Sequence, residues 1–194
     1  MDLSRFAQTQ VIIIEGVPGA GKTTLQEHFR HAANIRPVSV FSEEALLFGW
    51  IHAWLPGIDT LRMSLMNRII DHIERTLVES PETLFVLNRF HISYRCFAKS
   101  LDMEAYDLLL ARLRNLAVIV LVPQIPPDAI AERAAHVERT DPLWQAHLKK
   151  RLGNSGFSDI ATMYTAEQEM VRQLLQMQQI RYEILEAIEP QRSV

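Results

Sequence analysis

Residues 10–24 read QVIIIEGVPGAGKTT. A short, β-branched apolar run from Gln10 to Glu15 leads straight into a glycine-rich loop, and an amphipathic stretch from about Gly21 to Ala32 follows. The run is continuously apolar rather than alternating, which suits a strand buried on both faces of a parallel sheet. The loop has the spacing G-x-x-x-x-G-K-[ST], with Gly16, Gly21, Lys22 and Thr23 in place. Glycines there let backbone N–H groups turn inward around phosphate oxygens. Strand, loop and helix in this order leave the chain few folds. The arrangement points to an anion at the N-terminus of the helix, beyond the carboxyl end of a buried strand. The bland alternative is a glycine-rich turn that binds nothing, or a degenerate loop, but no key position is degenerate.

Four further apolar runs read as strands: Pro37 to Phe41, Thr83 to Leu87, Ala117 to Val122 and Ile180 to Leu185. Helical periodicity fills the intervals. Leu61, Leu65, Ile69, Ile73 and Leu77 mark one helix face, Leu101, Ala105, Leu109, Leu113 and Leu116 a second, and Met170, Leu174 and Met177 a third. Pro123 to Pro127 reads as the turn after a central strand. Strands alternating with helices predict an α/β fold, a parallel sheet covered on both faces. With 194 residues and no linker or repeat, a single domain over 1–194 is expected. From Asp128 to Leu152 the chain is helical in pattern and dense in charge. The region from about 127 to 152 reads either as a solvated helix pair or as a mobile basic lid, and the glycine loop favours the lid.

The loop assigns a nucleoside triphosphate, ATP, to the backbone and side chains of Gly16, Val17, Pro18, Gly19, Ala20, Gly21, Lys22, Thr23 and Thr24. Lys22 is expected to reach the β- and γ-phosphates and the Thr23 hydroxyl to ligate Mg²⁺. Composition excludes other classes. A net charge of −3 argues against a nucleic-acid polymer as partner. The lone Cys96 excludes an internal disulfide and a cysteine-rich metal site. His28 and His31 lack a third ligand nearby and read as a solvated helix face. The N-terminus has no signal-peptide pattern and no run approaches a membrane span, so a cytoplasmic protein without a membrane partner is expected.

Other motifs carry a resemblance. Ile14-Glu15-Gly16 looks like the I-E-G entry of the thymidylate kinase and deoxynucleoside kinase branch of P-loop kinases. The stretch Asn88 to Arg95, NRFHISYR, resembles the E-R-S-x-x-S-D-R of deoxynucleoside kinases and the D-R-[YF]-x-x-S of thymidylate kinases. Arg89 and Ser93 match both patterns, Arg95 the first and Phe90 the second. Phe97-Ala98-Lys99 looks like the F-A-K that follows, one residue closer than expected. Pro127, Arg133 and Arg139 resemble the lid pattern, and Arg181 to Ala187 looks like the last strand before the adenine-contacting loop. The resemblance spans nearly the whole chain. It implies a three-layer P-loop NTPase fold with five parallel strands and a helical lid, the acceptor lying in a cleft at the strands' carboxyl ends.

That resemblance implies a γ-phosphate transfer from ATP to a small molecule, with a nucleoside or nucleoside monophosphate leading. Lys22, Arg133 and Arg139 would carry charge on the transferring group. The family places a glutamate after the second strand. Here Glu43 and Glu44 both stand there, with Glu43 slightly favoured, and a solvated turn is the bland alternative. Trp50, Trp54, Phe90 and Phe97 are candidates to stack on a base, each more simply a core residue. Glu43, Trp50, Asn88, Arg89, Ser93 and Arg95 are the expected acceptor contacts. Two departures count. Tyr94 stands where deoxynucleoside kinases have aspartate, and Asn88 where a carboxylate is usual. Asparagine can hold Mg²⁺-bound water but cannot act as a base. Other acceptors, a sugar or an antibiotic, therefore stay open, as does a nucleotide-binding regulatory module with little turnover. An exposed apolar helix face would point to a homodimer.

Overall fold

The computed structural model describes residues 4–31, 36–133 and 142–186. The run after Gln10 is β1 (Val11–Ile14), and the other expected strands follow as β2 (Val38–Phe41), β3 (Leu84–Asn88), β4 (Val118–Gln124) and β5 (Tyr182–Glu186). All pair in parallel, in the order β2-β3-β1-β4-β5. The helices are α1 (Lys22–His31), α2 (Ile58–Glu79), α3 (His91–Phe97), α4 (Met103–Arg114), α5 (Pro142–Ser155) and α6 (Ile160–Met177).

β1 is central, and its side chains alternate between two cores. Ile12 and Ile14 pack with Val86, Leu121 and, from α1, Leu25 and Phe29. Val11 and Ile13 pack with Phe85, Leu87 and Val120 beneath α2, α3, α4 and α6. A strand with both faces covered has no polar position, which is why the run is continuously apolar. A third cluster joins Val17 and Ala20 of the glycine loop to Ile125, Leu148 of α5 and Tyr164 of α6. No helix of the described residues is long and apolar enough to cross a membrane.

Three expectations are corrected. Leu61 is exposed, and α2 is instead buried through Ile58, Met63, Met66, Ile69, Ile70 and Ile73. A strict four-residue repeat drifts by about 40° per step on a helix of 3.6 residues per turn, so the stripe walks out of the core. On α6, Met170 and Met177 are exposed, while Tyr164, Glu167, Gln168, Val171 and Leu175 face inward. Two polar residues in that stripe hid it. Pro123 is not in a turn but within β4, opposite Leu185. β1 ends at Ile14, opposite Leu121, so at Pro123 the strand has β5 as its one sheet neighbour and the missing N–H leaves no gap in a ladder.

β1 and β3 are adjacent, with Ile14 opposite Asn88. The residues that leave the sheet next, Glu15 and Arg89, therefore emerge side by side.

Candidate functional site

The glycine loop leaves β1 through Gly16 (φ 140°), Gly19 (φ 80°) and Gly21 (φ 89°). A Cβ at Gly16 would sit 2.9 Å from the Pro123 carbonyl oxygen, so the close approach of loop and β4 demands glycine. The loop then feeds α1, whose first residue is Lys22. Its Nζ is buried and donates to Val17 O at 3.1 Å. Burial, and next the Arg89 guanidinium, bring the Lys22 ammonium down to about 7.

A cavity of about 630 Å³ opens over this loop, lined by Pro18, Gly19, Gly21, Lys22, Thr23 and Thr24. Its far wall holds Glu43 and Glu44 from the end of β2, Arg89 from the end of β3, and Phe97 and Lys99 from the end of α3 and just beyond it. Arg62 of α2 and Trp144, His147 and Arg151 of α5 complete it with Phe48, Gly49, Ala53 and Trp54.

Arg89 is the hub. Its backbone has φ 67°, a region L side chains rarely enter, and its N–H donates to Ile14 O at 2.8 Å. Its Nε lies 2.9 Å from Glu43 Oε1, and its Nη1 donates to Ser93 Oγ at 3.1 Å. Burial alone would raise the Glu43 carboxyl; the charges of Arg89 and Lys22 outweigh it and the net shift is downward. Glu43 is thus an ionised group facing the cavity. Glu44 is exposed and lines the same wall.

Two more carboxylates stand behind this wall. Glu15 is fully buried and accepts from Phe90 N at 2.8 Å and Ser93 N at 3.2 Å, and the Ser93 hydroxyl donates to it. Burial raises its carboxyl, against the pull of Ser93 and Arg89. Glu167 of α6 is ion-paired with Arg151 and is likewise raised by burial, against Arg151 and Arg89. Arg89 and Arg151 both lie over the Phe97 ring, 5.7 and 4.9 Å from its centroid.

Aromatic groups cluster at the other end. Trp54 Nε1 donates to His147 Nδ1 at 3.2 Å, and Lys99 and Lys150 lie 4.5 and 4.0 Å from a Trp54 ring centroid. Trp144 stacks on His147 at 5.2 Å. Asp59 ties down the segment bearing Lys99, accepting from Lys99 N at 2.8 Å and Ser100 N at 3.2 Å. It also faces Arg62, which donates to Leu47 O at 2.8 Å.

The expected site residues separate accordingly. Lys22, Thr23, Glu43, Glu44 and Arg89 share one cavity with Trp54 and Phe97. Ser93 is buried behind it, and Phe90 is wholly in the core. Arg133 and Arg95 are not among the lining residues. Arg139 and the side chain of Trp50 lie outside the described residues. Asn88 is buried at the end of β3, and its Oδ1 has no hydrogen-bond partner among the described residues. Arg151, Arg62 and Lys99 were missed as cavity cations. The stripe Trp144, His147, Arg151, at i, i+3 and i+7, was the signal for the first of them.

The described residues hold no group of three or more His, Cys, Asp or Glu able to bind a metal. Mg²⁺ in phosphate-transfer sites takes one or two protein oxygens plus substrate phosphates and waters, so a prebuilt cage is not required. Thr23, which lines the cavity, fits that limited role; the orphaned Asn88 oxygen is buried and is not among the lining residues.

No family model matches the sequence, and no curated protein matches it. The YorR protein from Bacillus subtilis, solved in complex with phosphorylated GDP, has a similar structure, with TM-score 0.53 and 14% identity over 92% of this chain and 86% of that one. Shikimate kinase from Bacteroides thetaiotaomicron overlays with TM-score 0.49 and 15% identity, over the same shares. The likeness is one of fold. Five parallel strands flanked by helices, with the glycine loop after β1, form a three-layer α/β fold of the P-loop type.

Proposed function

We propose that the protein is an ATP- and Mg²⁺-dependent phosphotransferase acting on a small molecule, with a nucleoside or nucleoside monophosphate as the acceptor class. One observation carries this reading: the phosphate-binding loop and the Glu43–Arg89 pair line the same cavity. A loop built only to hold nucleotide has no need of a second charged wall facing it.

Bound Mg²⁺ would supply positive charge to the phosphates, with Thr23 the residue to hold it. The chain's own residues do the rest. Lys22 and Arg151 offset charge on the transferring group, where such electrostatic help is the main catalytic term. Arg89 orients the acceptor. With a hydroxyl acceptor, its oxygen bonds to the γ-phosphorus, the bond from that phosphorus to the β-phosphate's bridging oxygen breaks, and ADP leaves. The hydroxyl proton passes to Glu43, which is ionised and on the cavity wall. With a monophosphate acceptor no proton needs removing, and Arg89 with Arg62 or Lys99 holds the anion. Helix α5 serves as the lid, in the place assigned to Arg133 and Arg139 from the sequence. Exposed Leu61 and Val78 on α2 and Leu108 on α4 offer apolar surface for the homodimer that belongs to this reading.

A second reading, a nucleotide-binding regulatory module without turnover, is favoured by Asn88 and by the downward shift of Glu43, which weakens it as a base. The experiment is a transfer screen with Mg-ATP over nucleosides, nucleoside monophosphates, sugars and antibiotics. Transfer to one of the first two supports the proposal. ATP binding with no transfer, unimproved in Asn88→Asp, supports the module.

A further inference from the structure

Glu15 is wholly buried, is not on the cavity wall, and is not needed to hold phosphate. Taking a carboxylate out of water costs several kcal/mol unless partners repay it. Its partners all lie on one segment: Phe90 N, Ser93 N and Ser93 Oγ. They follow directly on Arg89, the one residue of that segment held at positive φ. Ser93 Oγ donates to Glu15 and accepts from Arg89 Nη1, so one hydroxyl links carboxylate to guanidinium.

We propose that Glu15 is a positioning residue, holding the Arg89 guanidinium against the acceptor through Ser93; this rests on the phosphotransferase reading above. Of the acidic groups that act on Arg89, namely Glu43, Glu15 and Glu167, the first two differ in kind. Glu43 faces the cavity, with a quarter of its side chain exposed. That exposure leaves it within reach of an arriving acceptor. Glu15 has no exposure and stays. Arg89 therefore keeps a buried acidic partner, linked through Ser93, when Glu43 moves, and its strained backbone is held from both sides. Such strain persists only where the surroundings over-determine it. The guanidinium fork carries further N–H donors besides Nε and the one given to Ser93, and Arg89 lines the cavity, so these remain for an acceptor. Because Glu15 follows β1 and Gly16 begins the loop, the nucleotide cradle and the acceptor arginine are set by adjacent residues of one chain segment.

The test uses the full chain with Glu15→Gln and Ser93→Ala. The amide of the Glu15→Gln variant would still accept from the backbone N–H groups but has one acceptor oxygen in place of two and carries no charge. Ser93→Ala removes the link while leaving the carboxylate, and so keeps the test open if the Glu15 variant does not fold. Expected for both is acceptor KM raised about tenfold or more with nucleotide KM changed little, as for a misplaced substrate-holding group. In parallel, the Arg89 Nε–H resonance, identified by its loss in Arg89→Lys, is read by nitrogen-edited NMR with no substrate present. It should shift and exchange faster with water in both variants. An unmoved resonance with an unchanged acceptor KM in a folded variant overturns the proposal. If the wild type transfers phosphate to nothing, the phosphotransferase reading fails, and the resonance alone decides whether Glu15 sets Arg89.

Discussion

Arg89 Nε and Glu43 Oε1 lie 2.9 Å apart, joining the ends of β3 and β2 across the cavity wall. If Glu43 takes the acceptor's proton, Glu43→Gln lowers kcat by about 10²–10⁴ while nucleotide affinity changes little. Glu44→Gln, at an exposed position, stays near wild type. Steady-state kinetics of both variants check this. Equal losses in the two would return the role to Glu44 or to neither.

Lys22 gives a pH dependence with a definite sign. Its free ammonium is brought down to about 7 by burial and Arg89. Bound phosphates favour the charged form, so the bound value is higher and binding takes up a proton above pH 7. Nucleotide affinity should then fall by up to about tenfold per pH unit from about pH 7 upward. Calorimetry at pH 8 in two buffers of different ionisation enthalpy should show uptake approaching one proton in wild type and none in Lys22→Met. No uptake in wild type would contradict this account of the cradle.

His91 predicts acid sensitivity of the fold. It is buried, with Nε2 2.8 Å from Gln178 Oε1, and Gln178 Nε2 donates to Tyr106 Oη at 2.6 Å. Burial lowers His91 from 6.5 to about 4, opposed by the Gln178 bond. A depressed folded value means stability present above pH 6.5 and lost as pH falls through 4, up to about 3 kcal/mol. Glu15 and Glu167, shifted upward, act in the opposite sense, so His91 is best followed directly. Its ring proton shifts should stay flat to below pH 5. A midpoint near 6.5 would show that the ring is not buried neutral.

Asp59 predicts a stability effect that reaches the site. It accepts from Lys99 N and Ser100 N and faces Arg62. Asp59→Ala should cost about 3 kcal/mol or more in urea unfolding, because it strands the buried Arg62 charge and two donors. Asp59→Asn, which keeps an acceptor oxygen, should cost about 1–2 kcal/mol. Equal, small losses would mean the 98–102 segment is held by other contacts.

The framework was largely legible because its signals are local. β-branched runs such as Val11–Ile14 read as buried strands, and the Gly16–Thr24 spacing reads as a phosphate loop once a strand precedes it. What was not legible depended on tertiary context. The inward stripe of α6 is interrupted by Glu167 and Gln168, which are polar because they hold Arg151 and the Ile125 backbone. Pro123 reads as a turn unless one knows that β1 has already ended beside it. Glu15 looked like part of a motif, and the structure buries it behind Arg89. Arg151 was passed over for Arg133 because the charge run from 128 to 152 gives no phase; only the neighbouring Trp144 and His147 do.

The proposed transfer reaction needs both the loop and the wall. The most direct measurement follows a radiolabelled γ-phosphate from Mg-ATP into nucleosides and nucleoside monophosphates, for wild type, Lys22→Ala and Arg89→Ala. The account predicts label in one acceptor with wild type. In Lys22→Ala it predicts transfer lost together with nucleotide binding, and in Arg89→Ala transfer lost with nucleotide binding kept. No labelled acceptor with a nucleotide-bound wild type, or undiminished transfer in Arg89→Ala, would contradict it.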